Sequence, residues 1–181
     1  MVATRRPSTR RDEILEAAAG VLAGSDGTSM EDVAAAAGIS RGTVYRYFPN
    51  RESLLRALEA AANEEARVRL AEANLDRVPV DEGLARATRA LVAVGEHFIV
   101  LLRERRPPEP SFAPPLVELL TRGVESGDLR TDVPVTVLVE ALLVLVAVST
   151  RSGKAIGMGA EDISATALRL FLDGARVDSR T

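Results

Sequence analysis

The sequence contains no cysteine, which excludes disulfides and thiolate chemistry. It contains one histidine, His97, and that excludes a zinc centre built on several histidines. Nucleophile–base constellations, a P-loop and a glycine-rich dinucleotide fingerprint are missing as well. The chain therefore reads as a protein that is not an enzyme and that uses no cofactor or metal. Strand signals are almost absent, and the apolar residues recur at helical spacing, so the expected fold class is all-α. No membrane partner is expected. The most apolar stretch, 133–148, is interrupted by Glu140 and followed by Ser149, Thr150 and Arg151, whereas a spanning helix needs about 20 apolar residues. It reads as a buried core or interface helix. No apolar run closely follows the N-terminal arginines, and the expected location is cytoplasmic.

What is present is a globular balance, 46% hydrophobic and 27% charged residues over 181 positions. The formal charge of −3 is unevenly spread. Residues 1–56 hold eight Arg against seven acids, and four of those arginines (Arg5, Arg6, Arg10, Arg11) precede residue 12. The remainder is net acidic. A weakly basic head on an acidic body suits a protein that meets a polyanion at one end.

Along the chain, residues 1–8 read as a basic arm. A first helix is expected from about Thr9 to Ala23, facing inward through Ile14, Ala17, Ala18, Val21 and Leu22. Thr28 and Glu31 read as a capping box that opens a second helix, with Val33, Ala34 and Ala37 on its inner face. Gly38 ends that helix with a tight turn, and Ser40 caps a short third helix, Arg41–Phe48. Asn50 caps a fourth, with Leu54, Leu55 and Leu58 inward, which extends at least into the 60s. A long helix is expected at about Asp81–Arg105, a proline-rich loop at Arg106–Pro115, and further helices at about Pro115–Ser126, Pro134–Thr150 and Glu161–Leu172. Three glycines make Ser152–Gly159 read as a flexible connection. The total is about nine helices and no sheet.

Two short helices meeting at a glycine turn have the spacing of a helix-turn-helix. Their outer face is chemically concentrated. Ser40, Arg41, Thr43, Tyr45, Arg46 and Tyr47 lie within eight residues, and positions 45, 47 and 48 hold three of the chain's six aromatics. Residues 45 and 47 lie about 200° apart on a helix, so not all of these rings can be buried. Hydroxyls bond phosphate oxygens, and arginine grips phosphate or a guanine edge. Gly42 lets the backbone lie close to a sugar-phosphate wall, and Arg51 stands at a helix start.

From Thr28-Ser29-Met30-Glu31-Asp32-Val33-Ala34 through Gly38-Ile39-Ser40-Arg41-Gly42-Thr43-Val44-Tyr45-Arg46-Tyr47-Phe48-Pro49-Asn50-Arg51-Glu52-Ser53-Leu54-Leu55, the chain resembles the DNA-binding signature of the TetR family of transcriptional regulators. The likeness extends over about residues 9–58. Arg41 and Arg51 stand where lysine is frequent in the family, and the charge is kept. The resemblance implies a three-helix DNA-binding head at 9–55 and a helical ligand-binding and dimerisation domain at 56–176. It implies DNA contacts from Thr28, Ser40, Arg41, Gly42, Thr43, Tyr45, Arg46, Tyr47 and Arg51, with Thr43 and Arg46 assigned to bases and Tyr45, Tyr47 and Arg51 to phosphates.

The implied function is a sequence-specific, ligand-responsive repressor. Its expected partners are a double-stranded, pseudo-palindromic operator, a second copy of the chain and a lipophilic small molecule. An activator, or a regulator without a small-molecule effector, is the alternative. The resemblance places the dimer interface on the last two long helices, and Val139, Leu143, Val146, Ile163, Ala167, Leu170 and Phe171 are the expected contacts. The expected effector pocket is aliphatic, lined by Val94, His97, Phe98, Leu101, Phe112, Leu138 and Leu142. For His97 a structural role stands beside a ligand contact, and Glu140 is open to a pocket, an interface or solvent.

Overall fold

The computed structural model describes residues 9–24, 27–95, 97, 99–100, 104 and 113–176. Among the described residues the structure is helical throughout, with eight α-helices, one 3-10 turn and a single antiparallel bridge between Leu129 and Arg176. The chain divides into two compact units, Met1–Ala60 and Ala61–Thr181, so the division falls a few residues beyond the expected 55/56 boundary.

The first unit holds α1 (Arg10–Gly24), α2 (Met30–Ala36), α3 (Arg41–Tyr47) and the start of α4 (Arg51–Glu72). Side-chain caps fix where these helices begin. Thr9 Oγ1 accepts from the Asp12 N–H at 3.3 Å, and Asn50 Oδ1 accepts from the Ser53 N–H at 2.8 Å. The capping box of α2 sits one residue later than the sequence pattern suggested. Ser29 is the N-cap and Asp32 the residue that reaches back, accepting from the Ser29 N–H at 2.8 Å. Two candidate boxes overlap here, and the realised one leaves Thr28 turned inward, where its hydroxyl donates to the Val21 carbonyl. The head's interior is built from Ile14, Leu15, Ala18, Leu22, Val33, Ala34, Val44, Phe48, Leu54 and Leu58, all buried.

The second unit contains the rest of α4, the 3-10 turn Leu75–Arg77, α5 (Val80–Val94), α6 (Pro114–Glu125), α7 (Val135–Ala155) and α8 (Ala160–Ala175). A left-handed Asn74 (φ 50°) stops α4, and Arg122 of α6 fastens the 3-10 turn by donating to the Leu75 carbonyl at 2.6 Å. One apolar core joins these elements through Ala66 and Leu70, Leu84 and Leu91, Leu116 and Leu120, Leu138 and Leu142, and Ala167 and Phe171.

Two expected boundaries change. The long helix anticipated over 81–105 ends at Val94, because Gly95 adopts φ 47°, ψ −97°. Helical hydrogen bonding resumes after that break, with Ile99 N–H donating to the Gly95 carbonyl at 3.3 Å. Conversely, α7 continues through Ser152 and Gly153, which had read as part of a flexible connection. Gly153 is there for close packing: a Cβ at this position would lie 2.6 Å from Ile163 Cγ1 of α8. Helix α7 is long and apolar enough to cross a membrane by length and composition. Its Leu138, Val139, Leu142, Leu143, Val146, Ala147, Thr150 and Gly153 are instead buried within the second unit.

Candidate nucleic-acid interface

The corner between α2 and α3 is built by backbone hydrogen bonds. Gly38 N–H donates to the Ala35 carbonyl at 3.1 Å and Ile39 N–H to the Ala34 carbonyl at 3.0 Å, with Gly38 at φ 65°. This paired closure consumes the last carbonyls of α2 and needs a left-handed residue at Gly38. Ser40 then caps α3. Its Oγ accepts from the Thr43 N–H at 3.2 Å and lies 2.9 Å from Thr43 Oγ1. Buried Val44 and Phe48 turn one side of α3 inward, and Arg11 of α1 stands 5.3 Å over the Phe48 ring.

The opposite side of α3 faces outward. Ser40, Arg41, Gly42, Arg46 and Tyr47 are exposed, Tyr47 to 37%, while Thr43 and Tyr45 are half-buried. No Cβ contact under 4.0 Å would oppose a side chain at Gly42, so its backbone lies open. Arg46 stacks 5.5 Å from the Tyr47 ring centre and Arg41 5.1 Å from that of Tyr45. The Tyr45 hydroxyl, and after it the Glu31 carboxylate, hold the Arg41 guanidinium more firmly protonated than an ordinary arginine. The helix thus offers hydroxyl donors and guanidinium forks outward, with a tyrosine ring on either flank. That set can bond phosphate oxygens and base edges in a major groove.

Two of the residues expected at this surface have other roles. Thr28 is buried, with its hydroxyl donating to the Val21 carbonyl; it braces the end of α1. Arg51 is half-buried, and its Nη1 donates to the Thr28 carbonyl. The pair ties the start of α4 to the α1–α2 connection. The other seven, Ser40, Arg41, Gly42, Thr43, Tyr45, Arg46 and Tyr47, sit together on and beside α3.

The residues expected in the body are placed differently. Val139, Leu143, Val146, Ile163, Ala167 and Phe171 are buried within the chain's own core, because α7 and α8 turn these stripes towards each other and towards α5. They are corrected from interface to core. Leu170 alone of that set is exposed, to 51%. The apolar surface that α7 leaves open is Val137, Val144 and Val148, with Val137 48% exposed. The signal for this was available: Glu140 and Arg151 share the valines' face at helical spacing and mark it as the outer one.

Val94, Leu138 and Leu142 are buried in the core. His97 is 12% exposed at its side chain, with Nδ1 3.9 Å from Glu65 Oε2 of α4. Phe98, Leu101 and Phe112 lie outside the described residues. A cavity of about 260 Å³ opens among Leu70, Leu75, Glu118, Leu119 and Arg122, and of the described effector candidates Val94, His97, Leu138 and Leu142 none lines it.

Residues 14–58 match the family described as bacterial regulatory proteins, tetR family. The HTH-type transcriptional repressor AcnR of Corynebacterium glutamicum is 30% identical over 152 residues, covering 74% of this chain and 76% of that protein. The chain belongs to the TetR family. The HTH-type transcriptional repressor LfrR of Mycolicibacterium smegmatis is 40% identical over 90 residues, a match that spans 47% of LfrR and 50% of this TetR-family chain. The crystal structure of LfrR in complex with proflavine superposes with a TM-score of 0.71 at 27% identity, covering 91% of this chain and 96% of that one. The all-helical fold and the helix-turn-helix head are those of a DNA-binding transcriptional regulator.

Proposed function

We propose that this TetR-family protein is a ligand-responsive repressor that occupies a pseudo-palindromic operator as a two-fold dimer and leaves it when a small molecule binds the second unit. The observation that carries the reading is the outward face of α3. Exposed Ser40, Arg41, Arg46 and Tyr47 and half-buried Thr43 and Tyr45 carry donors that duplex DNA can accept, while Val44 and Phe48 hold the helix in place. Thr43 and Arg46 are assigned to base edges, and Tyr45 and Tyr47 to phosphates.

A second copy is proposed to cover the exposed stripe of Val137, Val144 and Val148 on α7 together with Leu170 on α8. Two heads can then read half-sites one helical turn, about 10 bp, apart or a multiple of it. Repression is supported by the chain's similarity to the repressors LfrR and AcnR, and effector binding by the proflavine found with LfrR. Asn63 Oδ1 on α4 is buried without a hydrogen-bond partner, and such an acceptor suits a ligand donor. Helix α4 runs from Arg51 in the first unit to Glu72 in the second and is the proposed lever. A coupling of about 1–3 kcal/mol between effector and operator would change occupancy about 5–150-fold. Work on a chromosomal operator would place the protein in the cytoplasm.

The test is selection of binding sites from random duplexes, followed by titration with wild type, Tyr47→Ala and Val144→Arg. Tyr47→Ala weakens binding while remaining dimeric, and Val144→Arg sediments as a monomer and loses the palindromic preference. Equal affinity of all three, with no salt dependence, removes the assignment.

A further inference from the structure

Within the head, the Arg41 guanidinium is already engaged on several sides. Its Nη1 pairs with Glu31 Oε1, its Nη2 lies 3.4 Å from the Tyr45 hydroxyl, and its plane sits over the Tyr45 ring. Glu31 comes from the first turn of α2 and Arg41 from the first turn of α3. The two residues are ten positions apart in the chain. They meet because the Ser29 cap fixes one helix start, the Ser40 cap fixes the other, and the Gly38 corner sets the distance between them. Both side chains are exposed, Arg41 to 62% and Glu31 to 49%.

The neighbouring acid behaves differently. The Asp32 carboxylate accepts from the Ser29 N–H and hydroxyl, both at 2.8 Å, so it is tied to the cap of α2. Glu31 pairs across the corner with Arg41, on the surface that α3 presents outward. A carboxylate in contact with a guanidinium offers what a phosphate oxygen offers: an anionic acceptor for N–H donors.

We propose that Glu31 is an intramolecular stand-in for a DNA phosphate, one that Arg41 must leave when α3 enters the groove. Glu31 thereby sets how tightly the head holds any duplex. The inference rests on α3 being the recognition helix. Two consequences follow from the chemistry. Each phosphate contact that Arg41 makes replaces a contact it already had, so its net gain is small. An arginine neutralised by its own carboxylate also displaces fewer counterions from DNA, and this flattens the salt dependence.

Glu31→Gln keeps the size and helix propensity of the side chain and removes its charge. The experiment uses the full chain and a mixed-sequence duplex long enough for two half-sites, titrated at several salt concentrations. The variants are Glu31→Gln, Arg41→Gln and the double substitution, each checked for helical content by circular dichroism. Glu31→Gln is expected to bind about two- to fivefold more tightly per head, the size of one exposed ion pair. Its plot of log K against log salt steepens by up to about 0.9 per head, the value of one phosphate. In the Arg41→Gln background the same substitution loses most of that gain.

Weaker or unchanged binding by Glu31→Gln overturns the proposal. So does an equal gain in the Arg41→Gln background, which would make Glu31 a diffuse repulsive charge instead of a competitor for Arg41. If Arg41→Gln and Tyr47→Ala both bind like wild type, the recognition-helix reading fails, and with it the ground for the Glu31 role.

Discussion

The two units define their helices by different means. In the head, α2 and α3 are seven residues each, and each starts on a serine whose side chain accepts a backbone hydrogen bond. In the second unit, α5, α6, α7 and α8 run from 12 to 21 residues and have no side-chain cap at their N-termini. Helices shorter than about 12–15 residues are marginal alone, so the head needs its local fastenings. The long helices of the second unit are held by what they bury. Short-range chemistry therefore specifies the surface proposed to read DNA, and long-range packing specifies the helices of the second unit.

This contrast predicts different sensitivities. The largest expected effect is in the second unit. Phe171→Ala removes a ring buried to 3% exposure and should lower stability by about 3–5 kcal/mol, read from chemical denaturation followed by circular dichroism. Next come two identical substitutions that act for opposite reasons. Gly153→Ala drives a Cβ to within 2.6 Å of Ile163 Cγ1 and should destabilise by about 1–3 kcal/mol through overpacking, relieved in part by Ile163→Ala, which removes that atom. Gly38→Ala meets no atom within 4 Å, yet forces a side chain into φ 65°, at a cost of about 1–2 kcal/mol that Gly38→Asn should reduce.

Ser29→Ala removes the α2 cap and should cost about 1 kcal/mol, confined to amide exchange in the head. The smallest effect is on pH. Backbone and hydroxyl donors from Thr9 and Ser29 hold the Asp12 and Asp32 carboxyls below the ordinary aspartate range. A depressed folded-state value means the caps contribute fully above the unfolded aspartate pKa and fade as pH falls through the folded value. Acid should therefore loosen α1 and α2 ahead of α7 and α8, visible in hydrogen exchange at successively lower pH. Simultaneous loss would break the comparison.

The same division governs what could be read in the sequence. The Gly38 corner, the Ser40 cap and the outward side chains of α3 were legible because each depends on residues a few positions apart. The internal bonds of Thr28 and Arg51 were not legible because they join residues over longer separations, Thr28 with Val21 and Arg51 with Thr28. In α7, apolar residues occupy most of the helix surface, so the apolar pattern by itself did not tell which valines and leucines would be inside; only Glu140 and Arg151 marked the outer face. The packing of α8 decided it. The break at Gly95 was illegible for a similar reason: a lone glycine in a helical pattern is compatible with continuation, and only its φ of 47° ends α5.

The brevity of α3 has a consequence of its own. Seven residues at about 1.5 Å each make a rod of about 10 Å, matched to about three base-pair steps at about 3.4 Å. A word of about three letters recurs by chance every few dozen positions, against about 10⁶–10⁹ competing sites in a genome. On the proposed dimeric reading, the address would be assembled by joining two short words at a fixed spacing, and the valines of α7, far along the chain from α3, would decide whether they are read as one.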